Sequence, residues 1–156
     1  AIKITDMENS GNIAEMAISY IAKQKPSERP QITTSLESYE LLKQCFNGDT
    51  LNYSEEFILL LLNTTNRVLG WIKISAGGLV GTVADCRIIF ACALQTGATK
   101  ILISHNHPGG SSKPSQPDID LTKKIKAGGE LLEIQLLDHI IITDDSYFSF
   151  ADEGIL

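Results

Sequence analysis

The run Phe57-Ile58-Leu59-Leu60-Leu61-Leu62 most restricts what this chain can become. Six consecutive apolar residues alternate nothing, so a strand built from them is covered on both faces. Asn63-Thr64-Thr65-Asn66 is a turn, and Val68 to Ser75 reads as the return strand of a hairpin. A second apolar run, Lys100-Ile101-Leu102-Ile103, and a third from Ile134 to Thr143 have the same buried character. Asp144-Asp145 is a turn, and Tyr147 to Phe150 a short returning strand. A sheet covered on both sides needs helices, and three periodic segments can supply them.

The first helix opens on the capping box Thr34-x-x-Glu37, runs to about Phe46 and closes at Asn47-Gly48. Asp85 caps a second through about Leu94, ended by Gly97, with Ile88, Ile89, Ala91, Cys92 and Leu94 as its apolar side. Ser115 starts a third that reaches about Leu132. There Ile119, Leu121, Ile125, Leu131 and Leu132 form the buried side and Lys123, Lys124 and Lys126 a solvated one, while Gly128-Gly129 marks a close packing contact. The order hairpin, helix, strand, helix, hairpin predicts an α/β (α+β) domain with a mixed sheet flanked by helices.

Between the second apolar run and the third helix lies Ser104-His105-Asn106-His107-Pro108-Gly109-Gly110-Ser111-Ser112-Lys113-Pro114-Ser115-Gln116-Pro117-Asp118. In an extended segment, residues i and i+2 point to the same side, so His105 and His107 can face one ion. Asp118 falls in the first helical turn, where the loop can fold it back toward them. Two imidazoles and a carboxylate leave a zinc ion one open position for water, the pattern of a catalytic rather than a structural site. Without a metal the same residues make a turn-rich loop with a capping box. Spacing alone allows a peptidase, a deaminase or a phosphoesterase.

His-x-His, seven residues, then Ser-x-x-Asp resembles the JAMM (JAB/MPN) metalloenzyme motif, at His105, His107, Ser115 and Asp118. His-Asn-His-Pro-x-Gly, Lys-Pro-Ser-x-x-Asp, the segment Leu136 to Ile142 and the ending Tyr147 to Gly154 resemble its RadC branch, historically named as DNA repair proteins. The resemblance spans about Thr34 to the C-terminus, so residues 34–156 read as a RadC-type JAMM domain and 1–33 as an extension of strand plus linker. It implies a JAMM/MPN-like, cytidine-deaminase-like fold and a zinc-dependent hydrolase of peptide or isopeptide bonds. His105, His107 and Asp118 would hold the metal. A glutamate upstream would be the general base, and counting back from Leu62-Asn63 puts it at Glu55; strand alternation lets only one of Glu55 and Glu56 serve. Ser115 would donate to the oxyanion, cap its helix, or do both. Gly109 stands where the family usually has Ser. Cys86-Arg87-Ile88 keeps only the arginine of the family's Pro-Arg-Glu.

The remaining features exclude more than they assign. A net charge of −6 over 156 residues gives no broad footprint for nucleic acid. Residues 1 to 50 contain no Gly-hairpin pair of the helix-hairpin-helix kind, so DNA is a possible but disfavoured partner. A RadC-like repair factor or metal-dependent nuclease is the alternative, and a peptide or protein substrate the first choice. No run of about 18 apolar residues and no signal peptide is visible, which points to the cytoplasm and away from membranes. The start without Met suggests processing or trimming. Cys45, Cys86 and Cys92 form no CxxC pair and read as reduced thiols. Glu15 to Tyr20 alternates like a strand, with a helix as the other option, and Lys23 to Gln31 is a connector. Ala76 to Gly81 is a glycine-rich surface turn. His139 is taken as a buried histidine supporting the fold, with a position behind the metal site as the sharper alternative.

Overall fold

A computed structural model describes residues 25–77 and 84–156. The alternation at Glu15–Tyr20 and most of the glycine-rich turn therefore lie outside the described residues. Five strands form one sheet: β1 (Glu56–Leu62), β2 (Val68–Ala76), β3 (Lys100–Asn106), β4 (Gln135–Ile142) and β5 (Tyr147–Ser149), in the order β2-β1-β3-β4-β5. Only β3 and β4 run parallel. Among the described residues, three α-helices accompany it, α1 (Ser35–Lys43), α2 (Cys86–Thr96) and α3 (Gln116–Leu131), besides a 3-10 turn at Pro26–Glu28. The mixed sheet flanked by helices is the α+β, JAB/MPN-like architecture expected of the sequence.

Every residue of β1 is buried, as its unbroken apolar run requires. Its alternate side chains enter two cores. Phe57, Leu59 and Leu61 pack with Ile101, Ile103, Ile89, Phe90, Ala93 and Ile125 beneath α2 and α3. Ile58, Leu60 and Leu62 pack with Leu102, Ile140, Ile142, Leu42 and Phe46 beneath α1. The fold is thus three layers, with the sheet in the middle.

The helix starts follow the sequence signals closely. Thr34–Glu37 and Ser115–Asp118 are complete capping boxes, and the Asp85 side chain accepts from Arg87 N–H. Gly97 ends α2 in the left-handed conformation, at φ 67°. The helix faces and ends differ in part. The buried side of α2 is Ile89, Phe90 and Ala93, with Ile88 and Leu94 exposed. Burial follows which flank of α2 meets the sheet, and that flank begins one residue later than the sequence pattern suggested. On α3 Leu131 is 86% exposed, two residues from buried Gly129 and so on the opposite side of the helix, and Leu132 at the C-cap is exposed too; Thr122, Ile125 and Gly129 carry the burial. α1 stops at Lys43, three residues short of Phe46, and turns lead on to β1.

The far end of α3 is a Schellman turn, with Ile134 N–H bonded to Gly129 O at 2.8 Å and Glu133 N–H to Glu130 O at 3.3 Å. Glu133 occupies the left-handed position, φ 56°. A Cβ on Gly129 would lie 2.3 Å from Ile134 O, so this glycine is the close contact that the Gly-Gly pair foretold.

Candidate metal centre

The histidines sit where β3 runs out beneath α3. His105 lies opposite Phe57 in the β1–β3 ladder and shares its face, that of α2 and α3. The ring is almost wholly buried and stacks on Phe57 at 6.1 Å. His107 follows two residues later on the same side, as extended geometry requires. Asp118 comes from the first turn of α3. Its Oδ2 accepts from Ser115 N–H at 2.7 Å and from the Ser115 hydroxyl at 2.6 Å. Its N–H donates to Ser115 Oγ at 3.3 Å. The capping box therefore also aims the carboxylate.

Three donors converge as a result. His105 Nε2 is 2.9 Å from His107 Nε2 and 3.2 Å from Asp118 Oδ1, while His107 Nε2 is 3.6 Å from Asp118 Oδ2. These ligand atoms all lie within 4.8 Å of one another. Metal–nitrogen bonds of about 2.0–2.1 Å at a tetrahedral angle give donor separations of about 3.3 Å, so the set matches a transition-metal site to within a few tenths of an ångström. His107 Nδ1 lies 2.7 Å from Ser111 O, a carbonyl that can only accept, so Nδ1 carries hydrogen and Nε2 is the atom left able to ligate an ion.

The electrostatics agree. Asp118 is held well below the usual carboxylate range: burial alone would raise it, but the adjoining imidazoles of His105 and His107 outweigh that. The His107 pKa is raised, first by its hydrogen bond to Asp118 and against burial, with smaller contributions from Ser111 O and the charge of Glu55.

Glu55 and Glu56 part at the start of β1. Glu56 turns to the α1 face, buried, with Lys73 Nζ 2.8 Å from Oε1 and Thr50 Oγ1 donating to it at 3.2 Å. By alternation Glu55 takes the Phe57 side, that of the histidines, and its charge reaches His107. Gly77, at φ 139°, donates its N–H to Glu55 O at 3.1 Å and so ties the end of β2 to this residue.

Sequence reasoning left Asn106 and Thr122 without a role, and gave His139 the support of the fold with a position behind the site as the alternative. Asn106, fully buried between the histidines and facing the other way, accepts from Glu56 N–H at 2.7 Å and donates to Leu51 O at 2.7 Å and Ser54 O at 2.8 Å. It staples the segment that ends in Glu55 to the strand that carries the histidines. His139, fully buried on β4, puts Nε2 2.8 Å from His105 Nδ1 and Nδ1 2.7 Å from Thr122 Oγ1. It stacks on Phe150 at 4.6 Å as well, so it supports the fold and the site together. Burial above all keeps it uncharged, its pKa well below the ordinary imidazole value, and His105 adds to this. Thr122 stands four residues after Asp118, the spacing that places both on one helix face, and that was the available signal.

The cysteines stay outside. Burial pushes the Cys45 thiol up to about 11, and Cys92 rises for the same reason, as inert thiols do. All three are free. Among the described residues, no helix is long and apolar enough to cross a membrane.

Fold and cluster together define a JAB/MPN-type domain with a His-His-Asp group able to hold a metal. The RadC-like JAB domain matches residues 32–155, and this chain belongs to the RadC family. It is 43% identical over 125 residues to a UPF0758 protein of Flavobacterium johnsoniae, covering 80% of this chain and 53% of that one. It is 38% identical over 149 residues to a UPF0758 protein of Porphyromonas gingivalis, covering 92% and 64%. A third, from Syntrophotalea carbinolica, is 43% identical over 102 residues, covering 65% and 45%. The chain thus spans about half the length of the curated relatives it matches.

Proposed function

We propose that this domain is a zinc-dependent hydrolase that cleaves a peptide or isopeptide bond. The observation that carries the reading is the convergence of His105 Nε2, His107 Nε2 and an Asp118 carboxylate oxygen at the C-terminal end of the central strand β3, where Glu55 enters. Two nitrogens and one oxygen suit zinc, and three protein ligands leave a position open. A zinc ion held there supplies Lewis acidity and lowers the pKa of a ligated water from about 15.7 to about 7.

The chain's own groups supply the rest. The Glu55 carboxylate takes the proton of the attacking water and returns it to the leaving nitrogen. The Ser115 hydroxyl, now on Asp118 Oδ2, turns to the oxyanion as it develops, a contribution of about 3 kcal/mol where such donors have been removed from other enzymes. Asp118 is ionised at any physiological pH and stays available as a ligand.

Metal content of the freshly purified protein tests this, beside His107→Ala. About one zinc per chain, lost in the variant, is the expected result. Peptide and isopeptide substrates then serve as probes, with Glu55→Gln expected to keep the zinc and lose turnover. Absence of metal in the wild type even after zinc is supplied overturns the reading.

A further inference from the structure

We propose that Thr122 and His139 form a one-way hydrogen-bond relay that sets the tautomer of His105 and turns its Nε2 lone pair on the metal position. The direction follows from counting hydrogens. Thr122 Oγ1 lies 2.6 Å from Asp118 O, and a carbonyl has no hydrogen to give, so the threonine's single hydroxyl hydrogen lies in that bond. The contact of 2.7 Å between Thr122 Oγ1 and His139 Nδ1 must then be donated by the imidazole. A neutral His139 with hydrogen on Nδ1 presents a bare Nε2, which accepts from His105 Nδ1–H across 2.8 Å. His105 is left with hydrogen on Nδ1 and none on Nε2, the atom that faces Asp118 Oδ1 at 3.2 Å.

The relay begins and ends at one residue. It starts on the backbone carbonyl of Asp118 and finishes on the imidazole that shares a coordination corner with the Asp118 carboxylate. Ligating imidazoles commonly donate their second nitrogen to a carboxylate, a carbonyl or water. Here another imidazole takes that place, and an imidazole can accept or donate. Without Thr122 nothing chooses between the two orientations, so Thr122 and His139 are positioning residues. His107 has a simpler device, its own carbonyl from Ser111.

The affinity arm of the test rests on the proposed metal site; the spectroscopic arm does not. Nitrogen-15 spectra of metal-free protein near neutral pH read each tautomer directly. His105 and His139 are expected in the form with hydrogen on Nδ1, the one free histidine disfavours. Hydrogen on Nε2 of either, or an averaged signal, overturns the relay whatever the protein does with zinc. Zinc dissociation constants from chelator competition then compare Thr122→Val and Thr122→Ser with wild type. The valine variant is expected to bind about 10- to 100-fold more weakly, the usual cost of removing such a partner, and the serine variant to recover most of it. Wild-type affinity in Thr122→Val overturns the proposal. Should that variant fail to fold, His139→Gln, whose amide keeps one acceptor and one donor, is expected to hold zinc more tightly than His139→Leu, and the reverse order overturns it. A wild type that takes up no zinc removes the proposed function and leaves the relay to the spectra.

Discussion

Replacing Asn106 by alanine separates what holds the two histidines from what holds Glu55. The side chain makes three hydrogen bonds in a fully buried position, one accepted from Glu56 N–H and two donated to Leu51 O and Ser54 O. Each exchange is worth about 1 kcal/mol net, and a buried group left unpaired costs about 1–3 kcal/mol. A water admitted to the vacated space would recover part of this. The expected loss is therefore about 3 kcal/mol, read as a fall in the urea midpoint with unchanged slope. Because Asn106 points away from the histidines, zinc affinity should change little. Turnover should fall further than stability or affinity, since the segment that delivers Glu55 has lost its anchor. The Glu56 amide should lose protection from hydrogen exchange. A stability loss under about 1 kcal/mol with that amide still protected would show that Asn106 anchors nothing.

Three further outcomes follow from the same geometry. Gly129→Ala should destabilise by about 2 kcal/mol although alanine favours helices by about 1 kcal/mol, because the methyl would meet a backbone oxygen at 2.3 Å; a melting temperature at or above wild type refutes the contact. Glu133→Gly should stabilise by about 0.5–1 kcal/mol by relieving a left-handed glutamate, less the entropy of a freer unfolded chain, a gain that chemical denaturation resolves. Zinc affinity should rise with pH. The raised pKa of His107 means its proton stabilises the metal-free fold fully below the ordinary value of 6.5, and that stabilisation is lost as pH climbs through the raised value. Zinc must displace the same proton, so binding should strengthen by up to about tenfold per pH unit below that value and level off above it. Asp118, its pKa depressed, contributes stability above its ordinary 3.8 and adds no second break. Chelator competition across this range that shows no slope refutes the assignment of His107.

Local signals carried much of this molecule into plain view. The strand of six apolar residues, the two capping boxes and the His-x-His spacing each act over a few residues, and each appears where its physics puts it. The His-His-Asp cluster was legible because alternation and a helix start are both local rules, and they happen to meet at Asp118. What escaped depends on partners far along the chain. The stretch Ile88–Leu94 is apolar almost all round, so only the sheet could decide that Ile89, Phe90 and Ala93 go inside. Leu131 looks like core until Gly129, on the other side of the helix, is seen to take the packed face. Asn106 reads as a loop residue until Leu51 and Ser54, fifty residues earlier, supply the carbonyls it bonds. The place of His139 beside His105 required the pairing of β3 with β4, which no spacing reveals.

The tight fit at the far end of α3 sets the phase of the whole helix. Asp118 and Gly129 are eleven residues apart, about 16 Å along the axis at 1.5 Å per residue. One end is gripped by the Ser115 box and the other by the contact of Gly129 with Ile134 O, so α3 behaves as a shaft keyed at both ends. Forcing the distal key with a methyl group leaves two ways to relax: the turn opens, or the shaft rotates and slides. A slide of even half an ångström is a large fraction of a metal–ligand bond and would be spent at the carboxylate. A glycine with no chemistry of its own thus sets the aim of a carboxylate three turns away.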